Sequence, residues 1–150
     1  MKRYVSCSKK EYFMSQKRQV ALYVSLLSSL ASLARDRQES EAREVFLDIA
    51  DRLKDDFCPP FDRSSLLILA SDLYALAVFR KAVLADKDDN RFFDLFISTI
   101  GSLADISLPK YDVSVSEELI RMCAKKSRTS QGFLYLASVR SLLSLIGSSL

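Results

Sequence analysis

Residue types that could do chemistry are present in this chain, but their spacing does not match a catalytic arrangement. The chain has no histidine, and so it lacks the commonest general base and metal ligand of proteins. A serine or cysteine nucleophile would therefore need a lysine or carboxylate base beside it, and no recognisable spacing supplies one. The three glycines form no phosphate-binding loop. We assign no catalytic, cofactor-binding or metal-binding residue, and we predict that the protein is not an enzyme.

Adjacent carboxylates are the first candidates for acid–base work. The pairs Asp55-Asp56, Asp88-Asp89 and Glu117-Glu118 all fall near predicted helix ends, where solvation or capping explains them better. Asp72 differs because it interrupts an apolar helix, where a buried carboxylate is costly without a partner. It is either a functional acid or, together with Ser71, the narrow solvent edge of that helix, and we favour the solvent edge.

The cysteines suggest neither a disulfide framework nor a zinc site. Cys7, Cys58 and Cys123 are scattered and show no Cys-x-x-Cys spacing, and both kinds of site need closer pairing or more ligands. We interpret them as three thiols of a reducing compartment.

Charge is distributed unevenly around a net value of +3. Residues 1–37 carry eight basic and two acidic side chains, whereas residues 38–62 carry three basic and eight acidic ones. The simplest explanation is a basic first helix that lies beside an acidic second one. The basic clusters, at Lys2-Arg3, Lys9-Lys10, Lys17-Arg18 and Lys125-Lys126-Ser127-Arg128, could also touch nucleic acid or an anionic membrane. Nucleic acid is an unlikely partner, because no recognition motif accompanies them; such binding would weaken steeply with added salt.

The elements that carry these residues are predicted to be helices. Apolar residues recur at helical spacing along most of the chain, and no Asn-Gly or Asp-Gly hairpin signal occurs. We predict an all-α, antiparallel helical bundle of five or six helices in one domain, residues 1–150. A basic lead (1–9) precedes helices at about 10–36, 39–56, 63–85, 91–105 and 115–148, with a break near 128–132.

Several features of these helices are also predicted. The third helix is apolar nearly all round and should be the most buried element, and Asn90 should cap the fourth. The tail, 133–150, shows more apolar surface at Leu142, Leu143, Leu145 and Ile146 than a terminal helix usually leaves without a partner. We see no secretory signal and no run of about 18–20 apolar residues that could span a bilayer. We expect a cytoplasmic protein that can sit peripherally at the inner face of the membrane.

The most specific stretch of the sequence is Phe57-Cys-Pro-Pro-Phe-Asp-Arg63. Two consecutive prolines cannot continue a helix, and each pushes the preceding residue towards extended geometry. The stretch therefore ends one helix and sets the direction in which the next helix starts. Asp62 is positioned to cap the new helix by accepting backbone N–H groups near Arg63 to Ser65.

This corner, together with the helix before it, resembles the PhoU-like proteins, most closely the branch that accompanies Pit-type phosphate permeases. The run Glu39-Ser-Glu-Ala-Arg-Glu-Val is similar to an acidic Glu-x-Glu-Ala-Asp helix of that branch, and Ile49-Ala-Asp-Arg-Leu then leads to the corner. The family corner reads Phe-x-x-Pro-Phe-Asp-Arg-Glu-Asp. The resemblance is best over residues 39–81, and Leu119-Ile-Arg-Met-Cys123 is faintly similar to the start of the family's fifth helix.

The chain departs from the family at the positions that would hold metal. Arg43 replaces the aspartate of the acidic helix, and Ser64-Ser65 replace the Glu-Asp of the corner. An Asp-Asp-x-x-Asp motif of the next family helix falls on Tyr74, Ala75 and Val78, and the second acidic segment falls near 129–132, which holds no carboxylate. Hard cations need several oxygen ligands, so metal binding does not carry over from the resemblance.

The resemblance implies a helical accessory protein that restrains phosphate transport or its signalling by contact with a transporter or sensor, and that forms homo-oligomers. We therefore expect a non-enzymatic regulator or adaptor with a phosphate permease or another membrane transporter as partner. The alternative is an unrelated helical interaction module whose tail packs into a homo-oligomer. Any functional surface should include Arg43 and Tyr74, because they replace would-be ligands; a repacked core is the simpler explanation of both.

Overall fold

The chain folds into helices that pack side by side, as a computed structural model shows. The structure describes residues 9–55, 61–80, 87–104, 117–122 and 132–149. Throughout these ranges the regular structure is helical, and no strand occurs in them. The helices are α1 (Lys9–Arg35), α2 (Glu39–Asp55), α3 (Arg63–Phe79), α4 (Lys87–Ser102), a helical segment at 117–122 that we label α5, and α6 (Gly132–Ser149).

A tight turn joins α1 to α2 and reverses the chain. The N–H of Gln38 donates to the carbonyl of Leu33 at 2.9 Å, and Arg37 between them has a φ of 54°. This is the left-handed conformation that often ends a helix, and it costs a non-glycine residue roughly 1–2 kcal/mol. The basic α1 and the acidic α2 are therefore neighbours, as their charges predict. Two ion pairs of α2 nevertheless form within the helix itself, Arg52–Asp48 at 3.0 Å and Lys54–Asp51 at 3.6 Å.

Cross-helix contacts define an antiparallel bundle. Ser65 lies against Ser144, and Asp72, two turns later in α3, accepts a hydrogen bond from Ser141, which precedes Ser144 in α6. These two helices therefore run in opposite directions. α2 and α3 also run in opposite directions. The ring of Phe46 stacks on that of Tyr74, and the end of α3 reaches the end of α1, which is where α2 begins. The all-α antiparallel bundle predicted from the sequence is confirmed.

The core is one cluster that all the described helices supply. α3 packs against α1, α2 and α6, and α4 packs against α1. An aromatic group closes the end where α3 finishes: Tyr135 meets Phe92 edge to face at 4.7 Å, and Phe93 at 6.0 Å between ring centroids. These three rings are almost fully buried, so they fix α6 against α4 at this end of the bundle.

Two predicted boundaries and one cap are corrected. α3 ends at Phe79 rather than near residue 85, because Arg80 turns to an extended ψ of 125° and sends its side chain to another helix. α4 begins at Lys87 rather than at Arg91, so Asn90 lies inside the helix and does not cap it. The last predicted helix, 115–148 with a break near 128–132, is present at 117–122 and over Gly132–Ser149; residues 123–131, where most of the predicted break falls, lie outside the described part of the chain.

Candidate protein-contact surface

The predicted helix cap at Asp62 is present. Its carboxylate accepts the backbone N–H of Ser65 at 2.9 Å and the hydroxyl of Ser65 at 2.8 Å. Both hydrogen bonds favour the charged form, so they lower the pKa of Asp62 below its ordinary value. Phe61, beside it, is buried in the core. The second half of the corner thus starts and anchors α3, while residues 56–60 lie outside the described ranges.

The two positions singled out from the sequence do not form a site together. Tyr74 stacks on Phe46 at 5.3 Å with an interplanar angle of 8°, which makes it a packing residue between α2 and α3. Arg43 is exposed on α2, one turn before Phe46. Tyr74 is therefore part of a repacked α2–α3 contact, the simpler of the two sequence-based explanations, whereas Arg43 remains available at the surface.

Two of the carboxylates considered for chemistry, Glu118 and Asp72, form contacts between helices, whereas Glu117 is exposed. Glu118 bridges Arg91 of α4, at 2.9 Å, and Arg121 of its own helix. Asp72 is half-buried and accepts the hydroxyl of Ser141; the solvent-edge interpretation holds for Ser71, which is exposed, and only in part for Asp72. The side chains of Asp55, Asp56, Asp88 and Asp89 lie outside the description. Among the described residues, no group of three His, Cys, Asp or Glu side chains could hold a metal ion.

Arg80 is a structural residue that sequence reasoning missed. Only 4% of it is exposed, and its Nη2 donates to the carbonyl of Ala34 at 3.0 Å and to that of Arg35. These carbonyls lie at the C-terminal end of α1 and carry the negative end of its dipole; that of Ala34 also accepts the N–H of Arg37 in the following turn, at 3.2 Å. The sequence feature that could have indicated this role is the basic pair Arg80-Lys81, which interrupts an otherwise apolar run.

The tail does not present the surface that the sequence suggested. Leu142 and Leu145 are both fully buried against the rest of the chain, and Leu143 is partly buried. The side chain of Ile146 lies outside the description. The outward positions of α6 are instead polar, with Arg140 and Ser144 exposed. The apolar surface predicted at Leu142 and Leu145 is therefore wrong, whereas the homo-oligomer itself stays a prediction.

Among the described residues, four of the five exposed large apolar side chains lie on α3 and the adjoining edge of α2; the fifth is Ile120 of α5. Leu67, Ile68 and Phe79 of α3 are 38%, 54% and 65% exposed, and Leu47 of α2 is 46% exposed. Helical periodicity places Ser71, Ala75 and Val78 on the same side of α3, where Ser71 is exposed and the other two are half-buried. We call this surface the α2–α3 face; it consists of Leu47, Leu67, Ile68, Ser71, Ala75, Val78 and Phe79.

The α2–α3 face carries no charge. Between residues 64 and 79 the only acidic or basic residue is Asp72, which lies at the α6 side of the helix and accepts the hydroxyl of Ser141. A helix that is apolar all round is normally covered on every side, but α3 is covered by α1, α2 and α6 and open on this one. The prediction that α3 is the most buried helix is therefore right for three of its sides and wrong for the fourth.

Comparison with known proteins does not extend this description. No protein-family model, curated protein or solved structure that was compared matches the chain. The class defined here is that of an all-α helical bundle, and the PhoU-like resemblance remains a prediction. None of the described helices is both long and apolar enough to cross a membrane.

Proposed function

We propose that the protein is a non-enzymatic helical adaptor that acts through protein contact. The observation that carries this proposal is the α2–α3 face, where four large apolar side chains are more than a third exposed on one surface. Exposed apolar patches of this kind are typical of protein interaction sites. Its setting on two packed helices gives the surface a fixed shape, which specific recognition requires.

The partner class in this proposal is a phosphate permease or another membrane transporter, contacted from the cytoplasmic side. It rests on the resemblance of residues 39–81 to PhoU-like proteins. Within that stretch, Asp62 caps α3 and the acidic α2 precedes it. An acidic helix followed by a capped helix is the arrangement that the resemblance implies. Metal is not part of the proposal, because Arg43, Tyr74, Ala75 and Val78 stand where the family has carboxylates.

Phosphate uptake in a deletion strain tests the function. We expect altered uptake, restored by the wild-type gene, and co-purification of a phosphate permease with the tagged protein from detergent extracts. A control is the charge variant Ile120→Glu, which changes an exposed isoleucine of α5, the helix that the Glu118–Arg91 ion pair joins to α4, and which should restore uptake. Unchanged uptake together with no permease contact would contradict the proposal.

A helical oligomerisation module is the second candidate function. The burial of Leu142 and Leu145 removes two of the four residues on which it was predicted, but the uncharged α2–α3 face supplies a second basis. The two candidates differ in one measurement, because an oligomerisation module alone leaves phosphate uptake unchanged when the gene is deleted.

A further inference from the structure

We infer that a second copy of this chain covers the α2–α3 face, with the two α3 helices packed antiparallel about a two-fold axis. The inference rests on the proposed function in one respect, because it takes the α2–α3 face as the contact surface, and it assigns that face to a second copy rather than to the permease. It rests on the order of side-chain sizes along α3, on the height at which α2 lies beside α3, and on the charges at the edge of the face.

The side chains along the open side of α3 form a palindrome of size. Two large residues, Leu67 and Ile68, are followed by the small Ser71 and Ala75, and then by the large Val78 and Phe79. The centre of this order lies at residue 73. An antiparallel copy centred there places Leu67 and Ile68 at the height of Val78 and Phe79 of the second copy.

Small residues at the centre allow the two helices to approach closely. In the same alignment, Ser71 lies opposite Ala75 of the second copy, and Ala75 opposite its Ser71. Because the distance between packed helices depends on the side chains at their contact, this pairing brings the backbones together at the axis and the large residues into contact on either side. A two-fold interface requires such self-complementarity, since each copy contributes the same surface.

The stacked rings of Phe46 and Tyr74 show which residue of α2 lies at the height of the two-fold axis. Phe46 stacks on Tyr74, and α2 and α3 run in opposite directions with the same rise per residue. Residue 47 of α2 therefore lies at the height of residue 73 of α3. The axis chosen from α3 alone thus passes Leu47, an exposed apolar residue, and places it opposite Leu47 of the second copy.

The charges at the edge of the face match in this arrangement. Arg43, Leu47 and Asp51 follow one another at intervals of four along one side of α2, and Arg43 and Asp51 are exposed. With Leu47 on the axis, Arg43 of each copy lies opposite Asp51 of the other. The result is an apolar centre with a charged, complementary rim, the common anatomy of protein interfaces.

Light scattering across a dilution series tests the inference. We expect the wild type to be a dimer at high concentration, and Ile68→Glu to raise the dimer dissociation constant about a hundredfold or more, because a carboxylate would be buried beside the axis. Ile120→Glu is the matched control and should remain a dimer. Circular dichroism establishes that each variant is folded. A wild type that stays monomeric, or a folded Ile68→Glu variant that still dimerises like the wild type, would overturn the inference.

Charge exchange tests the alignment itself. Arg43→Asp and Asp51→Arg should each weaken the dimer by about tenfold, because like charges then face each other at two symmetric positions. The double variant should restore it. Rescue within one chain is excluded, because eight residues of helix separate the two positions by about 12 Å. Failure of the double variant to recover would reject this alignment.

Cross-linking gives a direct geometric test. In a chain whose three cysteines are replaced by serine, Leu47→Cys should form a disulfide-linked dimer on mild oxidation, whereas Ser98→Cys, at an exposed position of α4, should not. Equal cross-linking at both positions would contradict the two-fold axis.

The inference and the permease proposal can fail separately. A dimer with unchanged phosphate uptake on deletion would leave this inference standing and remove the permease proposal; a monomer that copurifies with a permease would do the reverse.

Discussion

The guanidinium of Arg80 lies over the ring of Phe93, with its central carbon 4.9 Å from the ring centroid. The same group donates hydrogen bonds to the last carbonyls of α1. One side chain at the end of α3 thus contacts both α1 and α4. The cation neutralises the negative end of the α1 dipole and is attracted to the face of the aromatic ring.

Arg80→Ala should therefore destabilise the bundle by about 2–3 kcal/mol, because buried carbonyls lose a charged donor. Urea unfolding followed by circular dichroism measures the change. Arg140→Ala is the control, since Arg140 is exposed on α6 and its loss should cost less than about 0.5 kcal/mol. Equal effects of the two substitutions would show that Arg80 does not join these helices.

Phe92 and Phe79 offer a comparison of the same substitution in two settings. Phe92 is fully buried and contacts Phe93, Phe96 and Tyr135, whereas Phe79 is 65% exposed. Phe92→Ala should cost about 3–5 kcal/mol, because it leaves a cavity in the core. Phe79→Ala should cost less than about 1 kcal/mol when unfolding is measured at a protein concentration too low for dimers. A large loss with Phe79→Ala under those conditions would place this ring in the core of the single chain.

Local signals in the sequence were sufficient for the helices and for the cap at Asp62. An aspartate that follows two prolines and precedes an apolar run specifies a helix start by itself. The end of α3 could not be predicted in the same way. Apolar residues continue past Arg80, and the reason for the break is the end of α1, which lies 45 residues earlier in the chain.

The contact surface was the least predictable feature, because an all-round apolar helix does not indicate which of its sides stays open. That depends on which helices pack around it. The same ambiguity explains the error at Leu142 and Leu145: their apolar character was correct, but the pairing of α6 with α3 turns them inward.

The cap at Asp62 should make stability depend on pH. Its pKa is lowered in the folded chain by the N–H and hydroxyl of Ser65, so its contribution is fully present above the ordinary aspartate pKa of about 4 and is lost as the pH falls through the lowered value. Asp62→Ala should lower the melting temperature by a few degrees at neutral pH, and the gap to wild type should narrow in acid. Asp62→Asn keeps a capping oxygen without a titrating group, so its own loss of stability in acid should be smaller. A gap that is constant with pH would show that the carboxylate charge is not involved.

The hydrogen bond between Ser141 and Asp72 should behave as a coupled pair. Ser141→Ala leaves a half-buried carboxylate without its hydroxyl donor and should cost about 1–2 kcal/mol. Removing both groups together leaves nothing unsatisfied, so Asp72→Ala combined with Ser141→Ala should cost less than the sum of the single changes, by about 0.5–2 kcal/mol. Arg140→Ala, at an exposed position of the same helix, is the control and should change the free energy of unfolding by less than about 0.5 kcal/mol. Strict additivity of the two substitutions in denaturant unfolding would mean that this bond does not help to hold α6 against α3.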